Sequence, residues 1–291
     1  MNLIIDASNI IHRSFWMANK TAGTDERAIG SLHAYIFLRS LKSYLDKFKP
    51  NNVYCVWDKK LEPKTPCFRK VVAAETYKTN RDAEKTEKVY QDYDIIEEFI
   101  DSLGCFNVFP YAMEGDDVIA YLSRQMKDPT VIISADKDLL QLINENISYY
   151  DVNKKDIINL ANFERHMDVA FKDYVQYKCL IGDPADNIAR IATPAKAKKI
   201  LLGSKALTDE EKTQYEQNFI LTDLHDSYSR QQGELEKMDE QFSNLKTSGT
   251  FKKFIELCNK HQMTDIIAKQ QDWQQTFFGR KSLFNIVNMF K

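Results

Sequence analysis

The sequence predicts an α/β fold, a central and mostly parallel sheet flanked by helices, followed by a helical C-terminal region. Three observations predict it. Short apolar runs that suit buried strands alternate with helical spacings as far as about Asn162, and such alternation belongs to parallel sheets. Beyond Asn162 the pattern turns almost wholly helical. Several strand candidates are followed closely by an acid, and parallel sheets gather ligands beyond the carboxyl ends of their strands.

Leu3-Ile4-Ile5 is a short buried strand ending at Asp6. Leu32, Ile36, Leu41, Leu45 and Phe48 recur at helical spacing and predict a helix over Ser31–Phe48. Asn52–Trp57 forms a second strand, terminated by Asp58. Val89, Tyr93, Ile96, Ile100 and Leu103 mark an amphipathic helix that stops at Gly104, a residue suited to a C-cap. Cys105–Phe109 is the third strand, and Glu114–Met126 a helix whose acidic start favours an N-terminus. Thr130–Ile133 is the fourth strand, leading into Ser134-Ala135-Asp136-Lys137-Asp138 and a helix through Leu139, Leu140 and Leu142. Ile147–Tyr150 adds a fifth strand. The polar stretch Ser227–Ser248 reads as a helix or helix pair, because Leu235, Met238, Phe242 and Leu245 keep a helical spacing. The expected organisation is a core over 1–161, carrying a basic, mobile segment at about 59–90, and a helical region over 162–291.

At 291 residues the chain suits one large domain or two small ones. Its 43% hydrophobic and 28% charged residues are those of a soluble globular protein. The net charge of −2 conceals a contrast. Nine Lys/Arg face five Asp/Glu between Lys59 and Lys88, and five face two between Lys178 and Lys199. Basic surfaces of this kind can hold a phosphate backbone. Cys55, Cys67, Cys105, Cys179 and Cys258 are odd in number and scattered, which suits reduced thiols rather than zinc ligands or disulfides. The N-terminus enters a strand at once, so no signal peptide is expected. No run approaches the ~20 apolar residues of a membrane helix. A cytoplasmic protein is expected (in the host cytoplasm if phage-encoded), with no membrane partner.

The acids carry the chemistry. Asp6, Asp58, Glu114, Asp116, Asp117, Asp136, Asp138 and Asp183, with Asp186 as a ninth, fall where strands end or helices begin. One parallel sheet would gather them into a single pocket. Like charges in contact repel, and burial raises the cost. Cations must then hold them together, and oxygen ligands point to Mg²⁺, with Mn²⁺ as a substitute, in a two-ion site. The plain alternative for any one Asp is a helix N-cap. Caps need one acceptor per helix, which leaves the doubled and tripled acids unexplained.

Ile10-Ile11-His12-Arg13, Tyr77-Lys78-Thr79-Asn80-Arg81, Glu114-Gly115-Asp116-Asp117, Ser134-Ala135-Asp136-Lys137-Asp138-Leu139-Leu140 and Gly182-Asp183-Pro184-Ala185-Asp186-Asn187-Ile188 stand in order along residues 1–200. As a set they resemble the 5′-nuclease family of flap endonucleases and 5′–3′ exonucleases, its phage members above all. The resemblance implies a PIN-like nuclease core and a two-ion active site. Asp6, Asp58, Glu114 and Asp116 match the first-ion acids. Asp136, Asp138, Asp183 and Asp186 match the second cluster, with Asp117 between the two. It gives Asp6, Asp58, Asp116 and Asp136 catalytic roles, together with Lys78 and Arg81. The latter two are three residues apart and so on one helical face, gripping the reacting phosphate while Tyr77 stacks on a terminal base; the plain alternative is a solvated helix face. Segment 59–90 becomes an arch over the site.

The resemblance also implies a helix–three-turn–helix that binds duplex DNA after the last acids, with Lys196, Lys198 and Lys199 supplying charge. The family's glycine-rich hairpin is here Ala189-Arg190-Ile191-Ala192-Thr193-Pro194-Ala195, which hinders close backbone approach and leaves K⁺ binding open. Arg13 is a candidate phosphate contact with a surface role as its alternative, and His12 reads as a satisfied core histidine. The apolar tail Ser282–Lys291 resembles sequences that hold a replication sliding clamp, with a last core helix as the alternative. The function implied is hydrolysis at or near 5′ ends of DNA, at flaps and nicks and in RNA–DNA hybrids, for primer removal. A sliding clamp and a single-stranded DNA-binding protein are candidate partners. A PIN-like ribonuclease and a non-catalytic junction-binding module are the competing readings.

Overall fold

The computed structural model describes residues 1–22, 26–74, 76–79, 88–90 and 92–279. Its centre is a six-stranded sheet: β1 (Asn2–Asp6), β2 (Asn52–Val56), β3 (Phe106–Val108), β4 (Thr130–Ser134), β5 (Ile147–Asp151) and β6 (Asp156–Ile158). The spatial order is β3-β2-β1-β4-β5-β6. The first five strands run parallel, with Ile4 opposite both Tyr54 and Ile132. β6 returns antiparallel to β5, pairing Tyr150 with Ile157, and was not foreseen from the sequence. Three residues with only two apolar ones are too short for a periodic signal. All of β1 and β4 is buried, because helices cover both faces of the sheet.

One helical layer comprises α1 (Ala7–Ala22), α2 (Glu26–Phe48) and, further along, α4 (Tyr93–Ser102), which follows the short α3 (Phe68–Val72). It buries Ile11, Phe37, Leu38, Ile96 and Phe99 against Leu3, Ile5 and Cys55. α1 is an addition to the elements expected from the sequence. Its register is fixed by Asp6, which accepts a hydrogen bond from Asn9 N at 3.0 Å. The opposite face carries α5 (Gly115–Gln125), whose Val118, Ile119 and Leu122 pack on Ile4, Val56 and Ile132. Lys137–Leu142 winds as a 3₁₀ helix rather than the expected α-helix, with Asp136 capping Asp138 N at 2.8 Å.

Past Ile158 the described chain is helical: α6 (Phe163–Met167), α7 (Tyr174–Ile181), α8 (Pro194–Leu201), α9 (Asp209–Thr222), α10 (Leu224–Ser229), α11 (Gln232–Ser243), α12 (Phe251–Lys260), α13 (Thr264–Ala268) and α14 (Gln270–Phe277). The last three helices turn back onto the sheet. Phe254, Trp273 and Phe277 share a cluster with Leu3 and Phe99. Leu235 and Met238 of α11 join the cluster on the other face. α7 and α8 have a small core of their own, in which Leu180, Ala192 and Ala197 are buried. The five cysteines are free and buried, as the sequence implied. No helix among the described residues is long and apolar enough to cross a membrane.

Gly182 ends α7 at φ +65° and turns the chain into the Asp183–Ile188 loop. A Cβ there would lie 2.6 Å from Ile188 O and 2.7 Å from Ala189 O, so both backbone angle and space require glycine. Gly182→Ala is expected to lower stability by about 1–3 kcal/mol, measured by urea unfolding. An unchanged midpoint would show that the loop can shift at no cost.

Candidate active site

In the order β3-β2-β1-β4, chain direction of build-up reverses between β1 and β4, the place where doubly wound sheets bind ligands. A cleft of about 310 Å³ opens there, lined by Asp6, Asp58, Asp116, Asp136, Asp186 and Lys78, with His12 and Tyr90 on its wall. Three of these acids, Asp6, Asp58 and Asp136, are held by backbone or hydroxyl groups. Asp6 accepts from Asn9 N through one oxygen and from the Ser134 hydroxyl at 2.6 Å through the other. Asp58 Oδ1 accepts from Gly115 N at 2.8 Å, while its own N–H donates to Ser8 Oγ at 2.7 Å. A Cβ on residue 115 would lie 2.7 Å from that carboxylate oxygen. Glycine at the start of α5 therefore lets the helix approach Asp58, and Asp116 follows in its first turn. Asp136 N donates to Ser134 Oγ at 2.9 Å. Capping and site building are thus one arrangement.

Among the described residues, none of Asp6, Asp58, Asp116 and Asp136 has a Lys or Arg within ion-pair distance. Burial, opposed by the Ser134 hydrogen bond and reinforced by Asp58, raises the Asp6 carboxyl to about 7. Burial and then Asp138 raise Asp136 to about 6. Asp116 is pushed well above the carboxylate range by burial, Asp136 and Asp6. Burial and mutual repulsion here outweigh the hydrogen bonds and the more distant Lys78 and Lys178 that favour the charged forms.

The remaining acids are compensated. Asp117 is buried, and Arg69 grips both its oxygens at 2.8 and 2.9 Å while the Ser227 hydroxyl donates to it at 2.7 Å. It also accepts from Glu114 N at 3.1 Å. Asp117 belongs to the support of the site and not to the cleft. Glu114 receives Arg69 at 3.1 Å, the Tyr77 hydroxyl at 2.8 Å and Lys78 at 2.8 Å. Burial opposes its charge, but Lys78 and Arg69 prevail and bring Glu114 to about 2. Asp186 Oδ2 stands 3.6 Å from Lys78 Nζ. Lys178 Nζ lies 2.7 Å from Asp138 Oδ1 and 3.3 Å from Asp183 Oδ2.

Several expectations about single residues change. Tyr77 is buried with its hydroxyl on Glu114, so it braces the site and is not free to stack on a base. Lys78 lies in a turn at φ +56° with its N–H on Asp186 O at 3.0 Å, not on a helical face shared with Arg81. Arg81 itself lies outside the described residues, as does the tail Ser282–Lys291. His12 is a wall residue of the cleft, edge-on to Tyr90 at 6.0 Å, rather than a core histidine. Arg13 is exposed and bonds Asn153. Lys196 pairs with Glu211 and Lys198 with Asp168, while Lys199 is exposed on α8. The residues missed from the sequence are Arg69, Lys178, Ser134 and Ser8. Lys178 alone had a signal, five positions before Asp183 in a basic stretch; Arg69 lies among other bases with no pattern to single it out.

Among the described residues no three or more His, Cys, Asp or Glu side chains are already grouped so as to hold a metal ion. The donors are instead oxygens spread around an open cleft, three of them destabilised as anions. That chemistry fits a hard divalent cation completed by water and phosphate.

The comparisons agree with this geometry. Residues 1–168 match the family model described as the 5′–3′ exonuclease N-terminal resolvase-like domain. A 5′–3′ exonuclease of Mycoplasmopsis pulmonis is 28% identical over 210 residues, covering 70% of this chain and 67% of the relative. One of Buchnera aphidicola (subsp. Schizaphis graminum) is 26% identical over 190 residues, covering 64% and 63%. The match thus spans about two thirds of the length of these two relatives. In fold it is similar to a bacteriophage T5 flap endonuclease variant solved with DNA and metal ions, with a TM-score of 0.63 at 17% identity, covering 83% of this chain and 97% of the other. The fold and the acidic cleft define a nuclease-type α/β protein. The chain belongs to the 5′–3′ exonuclease family.

The electrostatics predict a pH dependence. Asp6 and Asp136 have folded-state values above the ordinary 3.8, so the folded chain binds more protons than the unfolded one between about 4 and 7. Stability is then fully present below about 4 and lost as pH rises through 6 to 7. Glu114, lowered from 4.5 to about 2, acts in the opposite window and loses its contribution as pH falls through 2. In chelator the thermal midpoint should fall from pH 5 to pH 8, and millimolar Mg²⁺ should restore it at pH 8. A midpoint indifferent to both pH and Mg²⁺ would count against uncompensated charge in the cleft.

Proposed function

We propose that this protein is a divalent-metal-dependent 5′-nuclease that hydrolyses phosphodiesters at or near 5′ ends of DNA, at flaps and nicks. The observation that carries the proposal is the cleft at the sheet's switch point, where Asp6, Asp58, Asp116 and Asp136 converge with no Lys or Arg of the described residues within ion-pair distance. Family membership and a DNA-bound structural neighbour support it. Asp6, Asp58, Asp116 and Asp136 would hold Mg²⁺ or Mn²⁺, with Asp186, Glu114, Asp138 and Asp183 around them. Such ions, when bound, supply an activated water and charge neutralisation at the phosphate.

The chain's own groups do the rest. Ser134 and the N-terminus of α1 fix Asp6, and Gly115 N fixes Asp58, so the carboxylates need no reorganisation when substrate arrives. Glu114 and Asp186 hold the Lys78 ammonium at the cleft wall, where it can meet a phosphate oxygen. His12 and Tyr90 give the same wall an aromatic surface against which a terminal nucleotide can rest. The exposed Arg13, and Lys196, Lys198 and Lys199 on α8, are proposed contacts for the duplex backbone, with Arg81 in the proposed arch segment. Primer removal from RNA–DNA hybrids, and association with a sliding clamp through Ser282–Lys291 and with a single-stranded DNA-binding protein, complete the proposal.

Asp116→Asn should reduce Mg²⁺-dependent cleavage of a 5′-labelled flap by roughly 10²-fold or more. Binding of the same flap by gel shift should stay within a few-fold. Near wild-type cleavage would remove the site assignment. Lys78→Ala should lower kcat by roughly 10²-fold with KM little changed, because the ammonium acts where charge develops. A change confined to KM would reassign Lys78 to general backbone binding.

A further inference from the structure

Lys178 has no place in the proposed chemistry, yet its position is specific. It sits in the last turn of α7 and reaches across the start of the 3₁₀ helix Lys137–Leu142. Its ammonium lies between two acids from separate elements, Asp138 Oδ1 at 2.7 Å and Asp183 Oδ2 at 3.3 Å. The Lys178 side chain is 13% exposed and those of its partners 17% and 27%. Tyr174, one turn earlier on α7, is buried and fixes the helix by donating to Lys137 O at 2.9 Å. Asp138 Oδ1 is buried, with the Lys178 ammonium against it. Asp183 Oδ1, by contrast, accepts from Ala185 N at 2.8 Å.

The acids therefore divide into two groups of different character. Among the described residues Asp6, Asp58, Asp116 and Asp136 have no ammonium within ion-pair distance, whereas Asp138 and Asp183 share one. The lysine stem is flexible and its head a point charge, so it can yield to a competing cation.

We infer that Lys178 is the resident cation of the Asp138–Asp183 pair and sets the metal stoichiometry of the cleft. One divalent ion enters tightly at Asp6, Asp58, Asp116 and Asp136, and a second binds near Asp138 and Asp183 only by displacing Lys178. The inference rests on the nuclease reading of the cleft. A second ion held in competition with a lysine binds weakly without substrate, and an incoming phosphate offers the displaced ammonium a new partner. Second-ion binding and substrate binding become coupled through one side chain.

The experiment is a Mn²⁺ titration of the full chain without DNA, reading free Mn²⁺ by its paramagnetic resonance signal. Wild type should bind one tight ion. Lys178→Ala should gain a second site at least about tenfold tighter than the weak wild-type one, and Lys178→Arg should keep the wild-type curve. Circular dichroism checks that each variant is folded. Should Lys178→Ala fail to fold, Asp138→Asn decides: an unchanged tight ion supports the inference, and loss of that ion overturns it. Two equally tight ions in wild type, or a Lys178→Ala curve identical to wild type, would also overturn it. If wild type binds no Mn²⁺ at all, the metal-dependent nuclease reading falls instead.

Discussion

Repulsion among carboxylates gathered at one end of a parallel sheet is the constraint around which the rest of this molecule is arranged. The sheet brings the ends of β1, β2 and β4 within a few ångströms, and each end carries an acid. Such a gathering is stable only if each charge is paired, hydrogen-bonded or protonated, or is left for a cation from outside. All these solutions occur. Asp117 is paired with Arg69, and Asp6 is hydrogen-bonded by Ser134 and Asn9. Asp6 and Asp136 also hold protons more tightly than ordinary aspartates.

The pairing cations come from distant parts of the chain, which ties the architecture to the site. Arg69 reaches from α3 to Asp117 on α5 and also donates to Leu221 O in α9 at 2.9 Å. Lys78 joins its turn to Glu114 on one side and to the Asp183–Ile188 loop on the other. Asn187 returns a bond from that loop to Thr76 O at 2.9 Å. The Thr76–Lys78 turn, the acidic cleft and the helical region are thus connected by polar contacts a few residues from the proposed chemistry.

The two roles considered for the acids, helix capping and metal binding, are not alternatives in this fold. Asp6, Asp58 and Asp136 each satisfy a backbone N–H at a helix or 3₁₀ start, and each also lines the cleft. A carboxylate has enough lone pairs for both. Capping fixes the orientation in advance, which is how a site on strand ends and helix starts gains the rigidity that loops lack. The departures Gly182 and Gly115 serve the same end, since a side chain at either place would push backbone or carboxylate out of position.

The sequence by itself determined the local features: apolar runs followed by acids, a mostly parallel α/β core, a helical remainder, and a set of acids that includes those of the cleft. These were legible because strand periodicity, helix spacing and acid placement are local properties. Only the tertiary structure decided which acids keep their charge uncompensated. Asp116 and Asp117 are adjacent in sequence, yet one faces the cleft and the other is locked on Arg69. Tyr77 and Lys78 are adjacent too, and the first is a buried brace while the second lines the cleft. Burial and charge pairing depend on what distant segments bring within ångströms, and neither 3.6-residue nor two-residue periodicity carries that information.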